Sequence, residues 1–210
     1  MSILITSFEP YDDKLNASEQ LLQTLANKHP QYWKHIRVHY HTLACETDTI
    51  NFTLSKLFED VRPDVCLFMG QAPGRDKIYL ERIALNLKDF SQPDNAGKQP
   101  RGELIIENAP AAYWATLPNM ATTLDQINQS NINAEFSNYA GAYLCNQALY
   151  FGLHYAASRN IAMQCGFLHI PLIPEQCHAQ RKNTPALPLE IGVSAVEIIL
   201  EQTTDHNDAI

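Results

Sequence analysis

The stretch Asp64-Val65-Cys66-Leu67-Phe68-Met69-Gly70 decides the fold. It is a nearly unbroken apolar run of strand length that closes on a glycine. A strand with one wet face alternates polar and apolar residues, and this one does not. Such a run is expected of a central parallel strand covered on both sides.

Outward from it, helical and strand-like spacings alternate. Upstream, residues 47–61 place Ile50, Leu54 and Leu57 at helical spacing. Residues 35–43 alternate, with Ile36, Val38 and Tyr40 on one side and Arg37, His39 and His41 on the other, as in a half-exposed strand. Residues 18–28 form a helix through Leu21, Leu22 and Leu25, with Asn16 available as its N-cap, and residues 3–6 form a short buried strand. Downstream, 78–87 reads as a strand with Glu81 in its middle, 120–128 as a helix, and 134–137 as a short strand. A long helix follows over 143–159, then a strand over 163–170. A final amphipathic helix over 188–202 carries Leu189, Val193, Val196 and Leu200 on one stripe. This alternation implies a three-layer α/β/α sandwich with a mostly parallel central sheet, organised as a single domain over 1–210. Ligands of such sheets bind outside the carboxyl ends of the strands, so the loops after Thr6, Met69 and Ile170 are the places to look.

Composition narrows the function. The chain has 210 residues, is 45% hydrophobic and 18% charged, and carries a formal charge of −8. These values describe a globular protein, and the acidity argues against nucleic-acid and anionic-membrane partners, which need a basic surface. No segment approaches the ~18 apolar residues of a membrane span. The start, Met1-Ser2-Ile3-Leu4-Ile5-Thr6, has neither the basic region nor the apolar length of a secretion signal. The five cysteines are odd in number and form no C-x-x-C pair, so the expected compartment is the reducing cytoplasm.

Among the cysteines, Cys66 and Cys165 read as core, and Cys45 and Cys177 sit near loops with no evident base. Cys145 differs. It follows Ala140-Gly141-Ala142-Tyr143-Leu144, where a loop turns into the long helix. A thiol in a helix's first turn feels the positive dipole end, which lowers its pKa, and the free N–H groups there can hold an oxyanion. A cysteine nucleophile needs a base and a group to orient it. His169 ends an apolar strand, a position that suits a packed core histidine as well as one aimed into the crevice. Glu81 is a carboxylate inside an apolar strand, costly unless paired. Arg82 is the ordinary partner, but neighbours on a strand face opposite sides, so a histidine is the better one. His39 and His41 share a face without a third metal ligand at diagnostic spacing. The turn Gly70-Gln71-Ala72-Pro73-Gly74-Arg75 reads as carrying a binding residue rather than as a phosphate cradle. By themselves these residues suggest a cysteine hydrolase.

Together they resemble pyroglutamyl peptidase type I, the pyrrolidone-carboxyl peptidase family. The resemblance runs from about Ile3 to about Gln176. It rests on blocks in order: Phe8-Glu9-Pro10, Pro63-Asp64, Gly70-Gln71-Ala72, Glu81-Arg82-Ile83-Ala84-Leu85-Asn86, and Pro93-Asp94-Asn95-Ala96-Gly97. Then come Pro110-Ala111-Ala112-Tyr113-Trp114, Leu117-Pro118, Ala140-Gly141-Ala142-Tyr143-Leu144-Cys145-Asn146, and Gly166-Phe167-Leu168-His169-Ile170-Pro171 through Gln176. The resemblance implies a triad of Cys145, His169 and Glu81. It implies a pyroglutamate pocket at Phe8, Tyr11, Asn16, Gln71, Tyr143 and Leu144. Peptides with N-terminal pyroglutamate are the implied substrates, no metal or organic cofactor is called for, and a homotetramer is the implied assembly.

The chain departs from the family at Ser7, Asp12 and Asp13, where three glycines usually stand, and at Ser91, where an arginine often does. An altered acyl pocket serving another amide, or a binding protein on the same scaffold, are the readings these departures leave open.

Overall fold

A computed structural model describes residues 1–11, 14–177 and 183–205, with residues 204 and 205 described by backbone alone. In chain order the elements are β1 (Ser2–Phe8), α1 (Ala17–Lys28), β2 (Tyr32–Trp33), β3 (Ile36–Leu43), α2 (Thr47–Val61), β4 (Val65–Gln71) and β5 (Ile78–Glu81). They continue with β6 (Ile83–Leu85), β7 (Ala112–Trp114), α3 (Met120–Gln129), β8 (Ala134–Ser137), α4 (Leu144–Arg159), β9 (Gln164–Ile170) and α5 (Leu189–Asp205).

Seven strands form one sheet in the order β2-β3-β1-β4-β9-β5-β8. β1 runs parallel to β3 and β4, β4 to β9, and β5 to β8, while β2 and β5 run antiparallel to β3 and β9. The fold class is therefore the expected one. β4 lies at the centre and is buried on both faces up to Gly70. One face packs Ile3, Ile5, Leu67, Met69 and Leu168 against α1, α3 and α5. The other packs Leu4, Phe68, Cys165 and Phe167 against α2 and α4. The strand period of two assigns each residue to one layer or the other.

One expectation needs correction. Residues 78–87 are not one strand. β5 ends at Glu81, and β6 belongs to a separate two-stranded sheet with β7. Arg82 is the corner, with its N–H on the Ser137 carbonyl and its own carbonyl accepting from Ala115 N–H. An apolar run that changes sheets looks like one strand, because both halves are buried with the same period. The short strands β2 and β7 carry no sequence signal of their own and were not expected.

Ser7 lies inside β1, paired with Thr42, so no loop freedom is needed at that position. Asp12, Asp13, His178 and His206 lie outside the described residues. No helix among the described residues is long and apolar enough to cross a membrane.

Candidate active site

The strand register brings Glu81 and His169 together. His169 is the penultimate residue of β9, and its cross-strand partner on β5 is Tyr79. Because β5 runs antiparallel to β9, Glu81 pairs with Phe167, two residues deeper in the sheet on the same face. The carboxylate thus sits beneath the imidazole, fully buried, and His169 Nδ1 lies 2.8 Å from Glu81 Oε1. An ionised carboxylate only accepts, so Nδ1 carries the hydrogen and Nε2 is left as the basic nitrogen.

Glu81 Oε1 also accepts from Arg75 Nη1 at 2.7 Å. Arg75 is held by the Tyr139 carbonyl at 3.2 Å and by stacking over the Tyr79 ring. The turn 70–75 therefore contributes a charge partner for Glu81, a role the sequence reading did not give it. Arg82 faces elsewhere, bonded to Asn138 and stacked on Phe136. Burial pushes the Glu81 pKa up, but the His169 bond and the Arg75 cation outweigh it, and the carboxyl ends below its usual range. Glu81 Oε2 has no partner in bonding geometry among the described residues, with the Ser137 hydroxyl nearby.

Cys145 reaches the same face from α4. A Cβ built on Gly70, the cross-strand partner of His169, would meet Cys145 Sγ at 2.9 Å and Phe167 Cζ at 2.9 Å. The sulfur therefore occupies the space that a side chain at position 70 would fill, in the row of His169. Tyr143 stands at the N-cap of α4 and makes no side-chain cap bond. The first N–H groups of the helix are thus not taken up by the N-cap side chain.

Two consecutive buried amides hold this helix start. Asn146 Oδ1 accepts from Leu85 N–H at 2.8 Å, and its Nδ2 donates to the Leu85 and Leu87 carbonyls. Gln147 exchanges bonds with the Thr47 carbonyl (2.8 Å) and hydroxyl (2.7 Å). Neither residue was expected to matter. Their mark in the sequence is a pair of amides on an otherwise apolar helix face.

Helix position alone suggested a low thiol pKa. Burial and the Glu81 charge overrule it and push Cys145 up to about 12, against the opposing pull of Arg75 and its own N–H. Burial also lowers the His169 pKa, more than Glu81 raises it. Both shifts favour a neutral thiol beside a neutral imidazole.

A cleft of about 180 Å³ opens next to Cys145. Phe8, Tyr11, Asn16, Gln71, Tyr143 and Leu144 all line it. It is smaller than the ~300–1,000 Å³ of sites for drug-sized ligands and suits one small ring. Tyr11 meets Tyr143 edge-on at 6.0 Å, and Tyr143 packs on Phe90 at 4.4 Å. Cys45, Pro73 and Gln92 also line the cleft and were missed.

Cys45 belongs to a clamp across three loops. Glu9 Oε1 accepts from Cys45 N–H at 3.0 Å and from Asn95 Nδ2 at 2.8 Å. Beside it, Asp94 Oδ2 accepts from Thr47 N–H at 2.7 Å and supplies the cap that Glu46 does not give α2. Asn16 caps α1 as expected, accepting from Ser18 N–H at 2.9 Å, and its Nδ2 ties back to the Glu9 carbonyl. His39 and His41 remain on β3, and no group of three or more metal-ligating side chains gathers among the described residues.

The sequence profile of the pyroglutamyl peptidase family matches residues 1–206. The chain belongs to the pyroglutamyl peptidase family. It is 34% identical over 207 residues to the pyrrolidone-carboxylate peptidase of Brevibacillus brevis, covering 98% of this chain and 94% of that one. With the Vibrio vulnificus enzyme it shares 37% identity, covering 97% and 96%. A solved mutant pyrrolidone carboxyl peptidase of Pyrococcus furiosus superposes with TM-score 0.92 at 33% identity, over 98% of this chain and 99% of that one. The Thermococcus litoralis enzyme gives TM-score 0.92 at 32% identity, covering 99% and 95%. The family consists of cysteine peptidases, hydrolases that remove N-terminal pyroglutamate.

Proposed function

We propose that this protein cleaves N-terminal pyroglutamate from peptides through a thioester on Cys145, with His169 as acid and base and Glu81 as its orienting partner. The observation that carries this reading is the 2.8 Å bond from His169 Nδ1 to buried Glu81, which leaves Nε2 basic on the face that holds Cys145. The pyroglutamyl ring enters the cleft with its flat faces against Phe8, Tyr11 and Tyr143, closed by Leu144. Asn16 and Gln71 lie at its polar edge.

Cys145 Sγ attacks the scissile carbonyl carbon while its proton passes to His169 Nε2. The carbonyl oxygen becomes an oxyanion held by the free N–H groups at the start of α4. Imidazolium then gives its proton to the leaving amine, and the C–N bond breaks. A water attacks the thioester with His169 as base, releasing pyroglutamate and restoring the thiol. Both pKa shifts favour a neutral resting pair, in which the proton moves during the attack. We place the activity in the cytoplasm, in a homotetramer.

Hydrolysis of a fluorogenic pyroglutamyl amide under reducing conditions tests the reading, with Cys145→Ser as control. Cleavage that the substitution lowers by several orders of magnitude is the expected result. A folded, reduced protein that leaves the amide intact overturns it.

A further inference from the structure

We infer that Gln176, which does not line the cleft, is a positioning residue that makes the cleft a hydrogen-bond donor toward the ring it holds. The inference rests on the reading that a pyroglutamyl ring occupies the cleft. Gln176 lies in the 3-10 turn after β9 and is 1% exposed. Its Oε1 accepts from Ile173 N–H at 3.1 Å, and its Nε2 donates to the Leu15 carbonyl and to Gln71 Oε1, each at 3.0 Å. Gln71 Oε1 also accepts from Ala17 N–H at 2.9 Å.

Every orientation in this chain is forced. A backbone N–H only donates and a backbone carbonyl only accepts. Ile173 N–H therefore fixes the oxygen of Gln176, and the Leu15 carbonyl fixes its nitrogen. Ala17 N–H fixes the oxygen of Gln71. Both lone pairs of Gln71 Oε1 are then occupied, and its Nε2 has no acceptor among the described residues. Gln71 has only N–H groups left to offer the cleft, and the matching group on a lactam edge is its carbonyl.

Gln176→Glu breaks the chain without changing its shape. The new carboxylate faces Gln71 Oε1 and favours rotation of that amide, because a charge-assisted bond to Nε2 is about twice as strong as the neutral bond lost at Ala17. Rotation turns an oxygen toward the cleft. The test is steady-state hydrolysis of a pyroglutamyl amide at neutral pH, with competitive inhibition by 2-pyrrolidone and by cyclopentanecarboxamide, a ring of similar size without the lactam edge. The expected result is a rise of about tenfold in KM and in the 2-pyrrolidone Ki, the loss that one hydrogen bond carries. kcat and the cyclopentanecarboxamide Ki should stay within a factor of about three of wild type, inside the usual scatter for such measurements. If the variant does not fold, Gln176→Met keeps the length and removes the donor to Gln71 Oε1, leaving Ala17 N–H alone to hold that oxygen, and should move the same two constants in the same direction by a smaller factor.

Equal weakening of both inhibitors, or an unchanged KM, overturns the inference while leaving the cleft reading intact. A wild-type protein that 2-pyrrolidone does not inhibit overturns the cleft reading, and this inference with it.

Discussion

Two of the cavities lie at opposite ends of β4 and β9, and the larger of these two has neither a cysteine nor a histidine in its lining. At the amino ends of β4 and β9, a cavity of about 370 Å³ is lined by Phe58, Arg62, Asp64, Tyr155, Ile161 and Met163, among others. At the carboxyl ends, the cleft beside Cys145 has about 180 Å³. The difference lies in which helix ends face each space. The larger cavity meets the ends of α2 and α4, closed by Arg62 and Asn160 in left-handed conformations, where carbonyls leave a partial negative charge. The cleft meets the starts of α1 and α4, where N–H groups leave a positive one. The anionic intermediate of the proposed mechanism would find its stabilising N–H groups only at the cleft end. Volume does not locate the site here; chain direction does.

The comparison can be broken by substitutions at either end. The largest effect in this series is expected from Glu81→Gln, which retains size and an acceptor oxygen but removes the negative charge that stabilises protonated His169 during the reaction. kcat should fall by roughly 10²–10⁴-fold, the contribution of a positioned base, with thermal stability as the folding control. Next is Gly70→Ala. Its new methyl meets Cys145 Sγ and Phe167 Cζ at 2.9 Å, so the sulfur must shift by a few tenths of an ångström. A fall in kcat of about 10–100-fold fits such a displacement, and slower alkylation of Cys145 by iodoacetamide should accompany it.

The third effect depends on pH. His169 must be neutral to accept the thiol proton, and its pKa is held below 6.5. Activity should be intact at pH 6.5 and fall about tenfold per unit once pH drops through the lowered value. Arg75→Gln removes a cation that depresses this pKa, so the acid limb of kcat/KM should move up in pH. Stability follows the same sign: the unfolded chain binds the His169 proton at higher pH than the folded one. That contribution is present above 6.5 and is lost as pH falls toward the folded value. The smallest effect on activity is expected at the opposite end. Met163→Ala should leave kcat within about twofold while costing about 2–5 kcal/mol, read as a lower Tm.

The sequence showed the layers because each layer writes its own period. α2 is read to the residue from Ile50, Leu54 and Leu57, and β4 from its unbroken apolar run. What stayed hidden is relational. Nothing local to Ile78-Tyr79-Leu80-Glu81 says that β5 runs against β9, yet that reversal puts Glu81 beneath His169 rather than beside it. Arg75 reaches Glu81 across a turn, and Asp94 caps a helix that starts 47 residues before it. Such pairings leave no mark in spacing. The helix position of Cys145 does not announce the burial and the Glu81 charge that raise its pKa, because both come from residues distant in sequence.

The fastening of α4 has one further consequence. Asn146 and Gln147 grip β6 and α2 with carboxamides, groups that neither ionise nor attract counterions. Acid, alkali and salt can change the charge on His169 or weaken Arg75, but they do not loosen these bonds. The address of the Cys145 thiol is thus written in neutral ink: solution conditions change the charges around it, while the bonds that fix where it stands hold until the fold itself gives way.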